Sequence, residues 1–389
     1  MSLRNRWRIY PQLPSGLDGI SPGLRACLAF DVTTISETTV RDVVAEVPEI
    51  VRNRLSPLAL ELLRRSTFPV DATALEALRD DTFRRCMHTL ELQRRTAPAL
   101  SLLGSNGIDF LVLKGPVAAQ FYNSPSQRPY SDIDILVRPE DYPRAISALR
   151  AQGYAPSDKT RPPRDWFQTY CVEGMNLRSD DGGAIDVHHH LAPWAFTTDL
   201  SFSTLENASE RARIADVPVK YVSPQHSALI AALHLMNDLW KGDRSLVTWR
   251  DLIWLWNRCD YQALVQAFDE ASLAWYLPYV NNAVVSLGAS VSSTRRRLKR
   301  RYFLKYVRLN ALGWNHSSIA VRHPAGWAIR LPFLRGLAYL GGWLVPSRPF
   351  VNDRHGGYVR YWRDILRSIR QVIGGDDLRP AATVEKAVR

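Results

Sequence analysis

Between Tyr130 and Arg138 the chain reads Ser131-Asp132-Ile133-Asp134-Ile135-Leu136-Val137, and this run restricts the fold more than any other. Side chains alternate across a strand, so Asp132 and Asp134 share one face while Ile133, Ile135 and Val137 fill the other. Such a strand belongs in a sheet whose apolar side is covered and whose acidic side is open to a counter-charge. Two carboxylates this close repel and raise each other's pKa unless a cation lies between them.

The flanking segments supply the rest of a small mixed sheet. Phe110-Leu111-Val112-Leu113-Lys114-Gly115-Pro116 predicts a strand over 110–114, a glycine turn and a helix over 116–122. A loop over 123–130 leads to the acidic strand, 132–137. A helix over 139–152 follows, with Pro139 in its first turn and Gly153 as its C-cap. After a loop rich in Pro and charge, 155–165, the stretches 168–178 and 184–189 flank Ser179-Asp180-Asp181-Gly182-Gly183, a hairpin signal. The second of them, Ala184-Ile185-Asp186-Val187-His188, carries a third carboxylate.

Helical periodicity surrounds this core. Asp71 is placed to cap a long amphipathic run through Leu75, Leu78, Phe83, Met87, Leu90, Leu92 and Leu100, closed by Gly104 to Gly107. Helices return over 224–290, first after Ser223-Pro224, then through Leu246, Trp249, Leu252, Ile253, Leu255 and Trp256. At 389 residues the chain exceeds one ordinary core. The expectation is an α+β fold, a small mixed β-sheet core with helical N-terminal and C-terminal regions. Its segments are an irregular 1–30, a helical 31–107, the core 108–222, a helical 223–310 and a basic, aromatic 311–389.

The net charge of +12 is local: residues 294–389 carry 20 Lys/Arg against 5 Asp/Glu, the other 293 residues 30 against 33. That end, with its arginine-rich helix over 294–309 and aromatic stretch over 313–350, suits an anionic membrane surface, nucleic acid or an acidic partner. Residues 331–345 are apolar but too short to span a bilayer and are broken by Pro332 and Arg335, so no transmembrane helix is expected. Cys27, Cys86, Cys171 and Cys259 form no C-x-x-C pair and fit a reducing compartment. The basic N-terminus has no apolar core after it, which argues against a secretory signal. The expected location is cytoplasmic, with peripheral membrane contact open to the basic end.

Phosphoryl and nucleotidyl transfer ask the protein mainly to hold metal ions that neutralise phosphate oxygens and align the attacking and leaving groups. Three hard oxygen donors on neighbouring strands meet that need. Asp132 and Asp134 are assigned as metal ligands. Asp186 would hold the second ion and accept, directly or through it, the proton of the attacking hydroxyl. Gly115 would let the backbone approach triphosphate oxygens, and Lys114 and Arg128 would pair with phosphates. In His188-His189-His190 only His188 and His190 share a face, so a zinc site there is the weaker reading. His188 lies on the face of Asp186 and lines the same pocket. His234 is read as an interface histidine, and Arg250-Asp251 as an intrahelical or inter-domain polar contact.

Leu113-Lys114-Gly115, Arg128, Ser131-Asp132-Ile133-Asp134-Ile135-Leu136-Val137, Gly153-Tyr154 and Ile185-Asp186-Val187-His188 together resemble the DNA polymerase β-like nucleotidyltransferase superfamily. Within it they look like the bacterial "uncharacterised nucleotidyltransferase" family, with the resemblance strongest over about 85–240. The resemblance implies an enzyme that uses two Mg²⁺ ions with an NTP as substrate and an unidentified acceptor: a small molecule, peptide or polysaccharide precursor. It adds Ser131 and His188 to Lys114, Gly115 and Arg128 as nucleotide-binding positions, with Asp132, Asp134 and Asp186 catalytic. Two departures stand out: Pro116 replaces the superfamily's second Gly or Ser, and the spacing from Gly115 to Asp132 is longer. Competing expectations are a silent binding protein of the same fold and a transferase acting on RNA ends.

Overall fold

The computed structural model describes residues 19–29, 35–157, 173–191, 200–241 and 245–285, apart from isolated positions, and scattered positions between 344 and 366. The arginine-rich helix expected over 294–309 and nearly all of 313–350 lie outside the described residues, as do 158–172.

Helices α1 (Pro22–Leu28) and α2 (Glu37–Ala45) pack on each other and on α3 (Val47–Arg52), and α3 and α4 (Ser56–Arg64) pack against α5 (Ala72–Ser105), the longest element described. Asp71 caps α5 as expected, its side chain accepting from the Ala74 amide at 2.9 Å. The inward face of α5 differs from the predicted apolar one. Leu78, Leu92 and Leu100 are buried, but Phe83, Met87 and Leu90 are exposed. Polar Asp81, Thr89 and Thr96 take inward positions because each finds a hydrogen-bond partner there.

Strand β1 (Phe110–Val112), α6 (Gly115–Ala119), β2 (Ile133–Val137) and α7 (Tyr142–Ala151) follow in the expected order. Helix α7 starts later than 139 because the Asp141 and Tyr142 amides first close a turn on the Arg138 carbonyl, leaving Pro143 in the first helical turn. Gly153 ends it at φ +84. Residues expected as loop, Ala155–Pro156, form a short edge strand β3 on β4 (Gly174–Arg178). Strand β4 turns into β5 (Ala184–His188) through the predicted hairpin.

The sequence reading contains no counterpart of α8 (Phe202–Asn207), β6 (Glu210–Ile214) or β7 (Val217–Tyr221). The β6–β7 turn places Ala215 at φ +48 where Gly or Asn would signal a hairpin, and Pro218 breaks the strand pattern. The sheet is mixed, seven strands in the order β3-β4-β5-β2-β1-β7-β6. Helices α9 (Pro224–Lys241), α10 (Leu246–Arg258), α11 (Tyr261–Glu270) and α12 (Leu277–Val285) complete the described fold. One continuous buried cluster runs from Leu24 to Val284 and joins helices and sheet. Among the described residues no helix is long and apolar enough to cross a membrane.

Candidate active site

Parallel pairing of β2 and β5 sets Asp134 directly opposite Asp186, and Leu136 opposite His188. Ile133, Ile135, Val137, Ile185 and Val187 on the other face are fully buried, which fixes the register and so the pairing of the acids. Asp134, Asp186 and His188 each offer one ligand atom, all within 4.8 Å of one another. Asp132 enters β2 two residues earlier and lines the same cleft. The compact trio therefore contains His188, assigned to the nucleotide from sequence, where Asp132 was expected as a third ligand. Among the described residues, no group of three or more potential metal ligands includes His190.

Two cations already meet these acids. Lys114, at the turn from β1 into α6, places Nζ 2.6 Å from Asp134 Oδ1. His188 Nε2 lies 3.2 Å from Asp134 Oδ1 and 3.3 Å from Asp186 Oδ2. Burial works against every charge here, but the opposite charges win at Lys114, Asp134, Asp186 and His188. Asp134 is held well below the usual carboxylate range by Lys114 and His188, and Asp186 is lowered mainly by His188. The two acids in turn raise His188 to about 10. Asp132 is the exception: burial, with Asp134 beside it, pushes its carboxyl up to about 6. It is the acid the protein leaves under-compensated.

The donor set fits a hard divalent cation. Carboxylates from two adjacent strands converge, a third stands beside them with a raised pKa, and Lys114 and His188 supply the positive charge such an ion would otherwise bring.

Gly115 lines the cleft, but a Cβ there would lie 2.8 Å from Tyr130 Cβ and Cγ, so the ring of Tyr130 is what demands glycine. Ser131 lines the cleft as well. Arg128 also reaches it, yet its guanidinium forks onto Asp251 of α10, Nε to Oδ1 and Nη2 to Oδ2 each at 2.7 Å, with Nη1 donating to the Pro129 carbonyl at 2.8 Å. Two of its five N–H groups remain for a ligand. Tyr122 donates to Asp251 at 2.7 Å and stacks on Trp254 at 5.1 Å. This is the polar contact read at Arg250-Asp251, now with its partners. The His234 ring stands edge-on to His188 at 6.2 Å.

The cleft, roughly 1010 Å³ counted out to solvent, has a second wall that the sequence did not reveal. Arg52, Asn53 and Arg54 from the α3–α4 turn line it, as do Ser245, Leu246, Val247 and Thr248 at the start of α10. Glu173, next to β4, is a further acid whose field reaches Lys114. No spacing rule ties these residues to the D-x-D strand. Only Ser56-Pro57, a helix-start signal, hints at the turn before it.

The model of a family described as "uncharacterised nucleotidyltransferase" matches residues 47–284, a span that holds every residue lining this cleft. No curated protein matches the chain. Among solved structures, the chain is similar to an antigenic nucleotidyltransferase-like protein from Paracoccidioides brasiliensis, at 15% identity over 52% of this chain and 94% of that one, with a TM-score of 0.28.

Proposed function

Because the chain belongs to the uncharacterised nucleotidyltransferase family, we propose that it moves a nucleoside monophosphate from an NTP to a hydroxyl or phosphate acceptor. The acceptor oxygen attacks the α-phosphorus, the bond to the bridging oxygen breaks, and pyrophosphate leaves. Asp132, Asp134 and Asp186 would hold Mg²⁺, two ions on this reading. When bound, the metal neutralises phosphate oxygens and lines up the attacking and leaving groups. Asp186 takes up the proton of an attacking hydroxyl. Lys114 fixes Asp134 in place, and His188 spans Asp134 and Asp186. Ser131 and the backbone at Gly115 border the nucleotide, with the remaining N–H groups of Arg128 free to meet it.

The observation that carries this reading is the cross-strand pairing of Asp134 with Asp186 in an open cleft beside an under-compensated Asp132. Incubation with α-labelled NTPs, Mg²⁺ and a cell lysate tests it. Asp132→Asn and Asp134→Asn should each abolish Mg²⁺-dependent labelling with the fold retained, and full labelling by either would refute the assignment. Both substitutions keep size and hydrogen-bonding capacity while removing the charge an ion needs.

One observation favours a second reading, a silent binding protein: Lys114 and His188 already neutralise the acids. Calorimetry separates the two, since absence of both Mg²⁺ and NTP binding supports the silent fold. A cytoplasmic location and an anionic membrane or nucleic-acid contact through the basic C-terminal region belong to this proposal as well, and rest on composition alone.

A further inference from the structure

We propose that Arg54 grips the β,γ-phosphates of the NTP, and the pyrophosphate product, from the helical wall of the cleft. The inference rests on the nucleotidyl-transfer reading and assigns it a phosphate-binding residue outside the sheet.

Helix α3 ends in a Schellman motif: the Leu55 amide bonds the Ile50 carbonyl at 3.0 Å and the Arg54 amide the Val51 carbonyl at 3.1 Å. The residue after the cap must then be left-handed, and Arg54 has φ +60. Among the described residues, two other helices close through the same pair of bonds, and there the position is Gly107 (φ +66) or Gly153 (φ +84). Glycine is the low-cost occupant of this conformation, whereas an L side chain is strained in it. An arginine at this position costs stability, so its reason lies in where the side chain is held.

That place is fixed from both sides. Arg85 of α5 donates to the Val51 carbonyl at 2.9 Å, and Ser56 donates to Asp81 at 2.5 Å. Asp81 and Arg85 are themselves paired at 2.7 Å. The turn is thus clamped to the longest helix before any ligand arrives.

The cations of the cleft show what is left for a polyphosphate. Lys114 is tied to Asp134, Arg128 forks onto Asp251 with two N–H groups left over, and Arg52 pairs with Glu49 at the surface. Arg54 is exposed and has no partner among the described residues. On the sheet side, Pro116 has neither N–H nor hydroxyl to offer a phosphate. On the helical side, the first-turn amides of Leu246 and Val247 in α10 have no intrahelical acceptor, and Ser245 Oγ is occupied by the Thr248 amide. An anion between Arg54 and α10 meets a fork of donors and a helix N-terminus together.

Titration calorimetry of the full chain with Mg²⁺-pyrophosphate, each of the four Mg²⁺-NTPs and the matching NMPs tests this. Arg54→Gly should weaken pyrophosphate and NTP binding about ten- to a hundredfold, the worth of one charged contact. NMP binding should be unchanged and the melting temperature unchanged or raised, because glycine suits the backbone. Arg54→Lys should recover part of the affinity. Wild-type affinity for pyrophosphate and NTP in Arg54→Gly overturns the inference. If Asp134→Asn loses NTP binding while Arg54→Gly keeps it, only Arg54 is reassigned. A wild-type chain that binds none of these ligands overturns the nucleotidyl-transfer reading as well.

Discussion

Lys114 and Asp134 form the contact on which the charge balance of the site turns. Removing the lysine in Lys114→Met leaves a buried carboxylate facing Asp186, with only His188 to compensate, and should cost about 3 kcal/mol of unfolding free energy in chelator. The sign with pH follows from both partners. The carboxyl of Asp134 is depressed from 3.8, so its contribution is lost as pH falls below that value; the ammonium of Lys114 is raised above 10.5, so its contribution is lost as pH climbs past it. The difference between wild type and variant should be full between those limits and shrink outside them, read by urea unfolding across pH. Added Mg²⁺ should stabilise the variant more than the wild type, since the ion replaces the missing charge. A difference that stays flat with pH and Mg²⁺ would show that the pair is not coupled to the acids. Residues of this kind were legible: alternation in two strand-like runs put Asp134 and Asp186 on one face. Gly115 was legible as necessary but for another reason. Its Cβ direction is blocked by Tyr130, a contact that depends on the return of the loop and on no local pattern. Gly115→Ala should therefore lower stability by about 1–3 kcal/mol even without nucleotide. An unchanged unfolding midpoint would return the glycine to a purely phosphate-facing role.

At the scale of elements, α5 sets the geometry of both cleft walls. Thr89 accepts from the Tyr130 amide and donates to the Tyr130 carbonyl, both at 3.0 Å, and so pins the loop before β2. One turn earlier, Asp81 and Arg85 pin the turn that bears Arg54. The ends of α5 could be read from Asp71 and Gly107, but its inward face could not. Inward Asp81 and Thr89 are satisfied by Ser56 and Tyr130, distant in sequence, and periodicity carries no trace of such partners. The same blindness hid β6 and β7, whose turn has Ala215 where glycine chemistry would announce a hairpin. Asp81→Ala should cost about 2–3 kcal/mol, because it leaves Ser56 buried without its acceptor and Arg85 without its carboxylate. It should also weaken pyrophosphate binding by loosening the Arg54 turn. Stability lost with ligand affinity intact would mean that α5 supports the fold but not the wall.

For the molecule as a whole, the segments read from sequence, cut near 107/108 and 222/223, are crossed by one buried cluster. A buried polar tie across the second cut is Arg128 with Asp251, whose side chains are only 15% and 9% exposed. Burial would lower the Arg128 pKa, yet Asp251 raises it, so the guanidinium stays charged and needs its partner. Either Arg128→Ala or Asp251→Ala strands a buried charge and should cost about 3–5 kcal/mol. Asp251→Ala additionally strands the hydroxyl of Tyr122. The double variant removes both charges and should cost clearly less than the sum of the two, a coupling of at least about 1 kcal/mol in a thermodynamic cycle. If sheet and helices fold as one unit, all three variants should melt in a single transition, and amide exchange in β2 and α10 should accelerate together. Strictly additive costs, or exchange that rises in α10 while β2 stays protected, would make the helices after β7 a separate unit. The cleft would then be an interface between two bodies, and its width, including the reach of α10 toward Arg54, would vary with their docking.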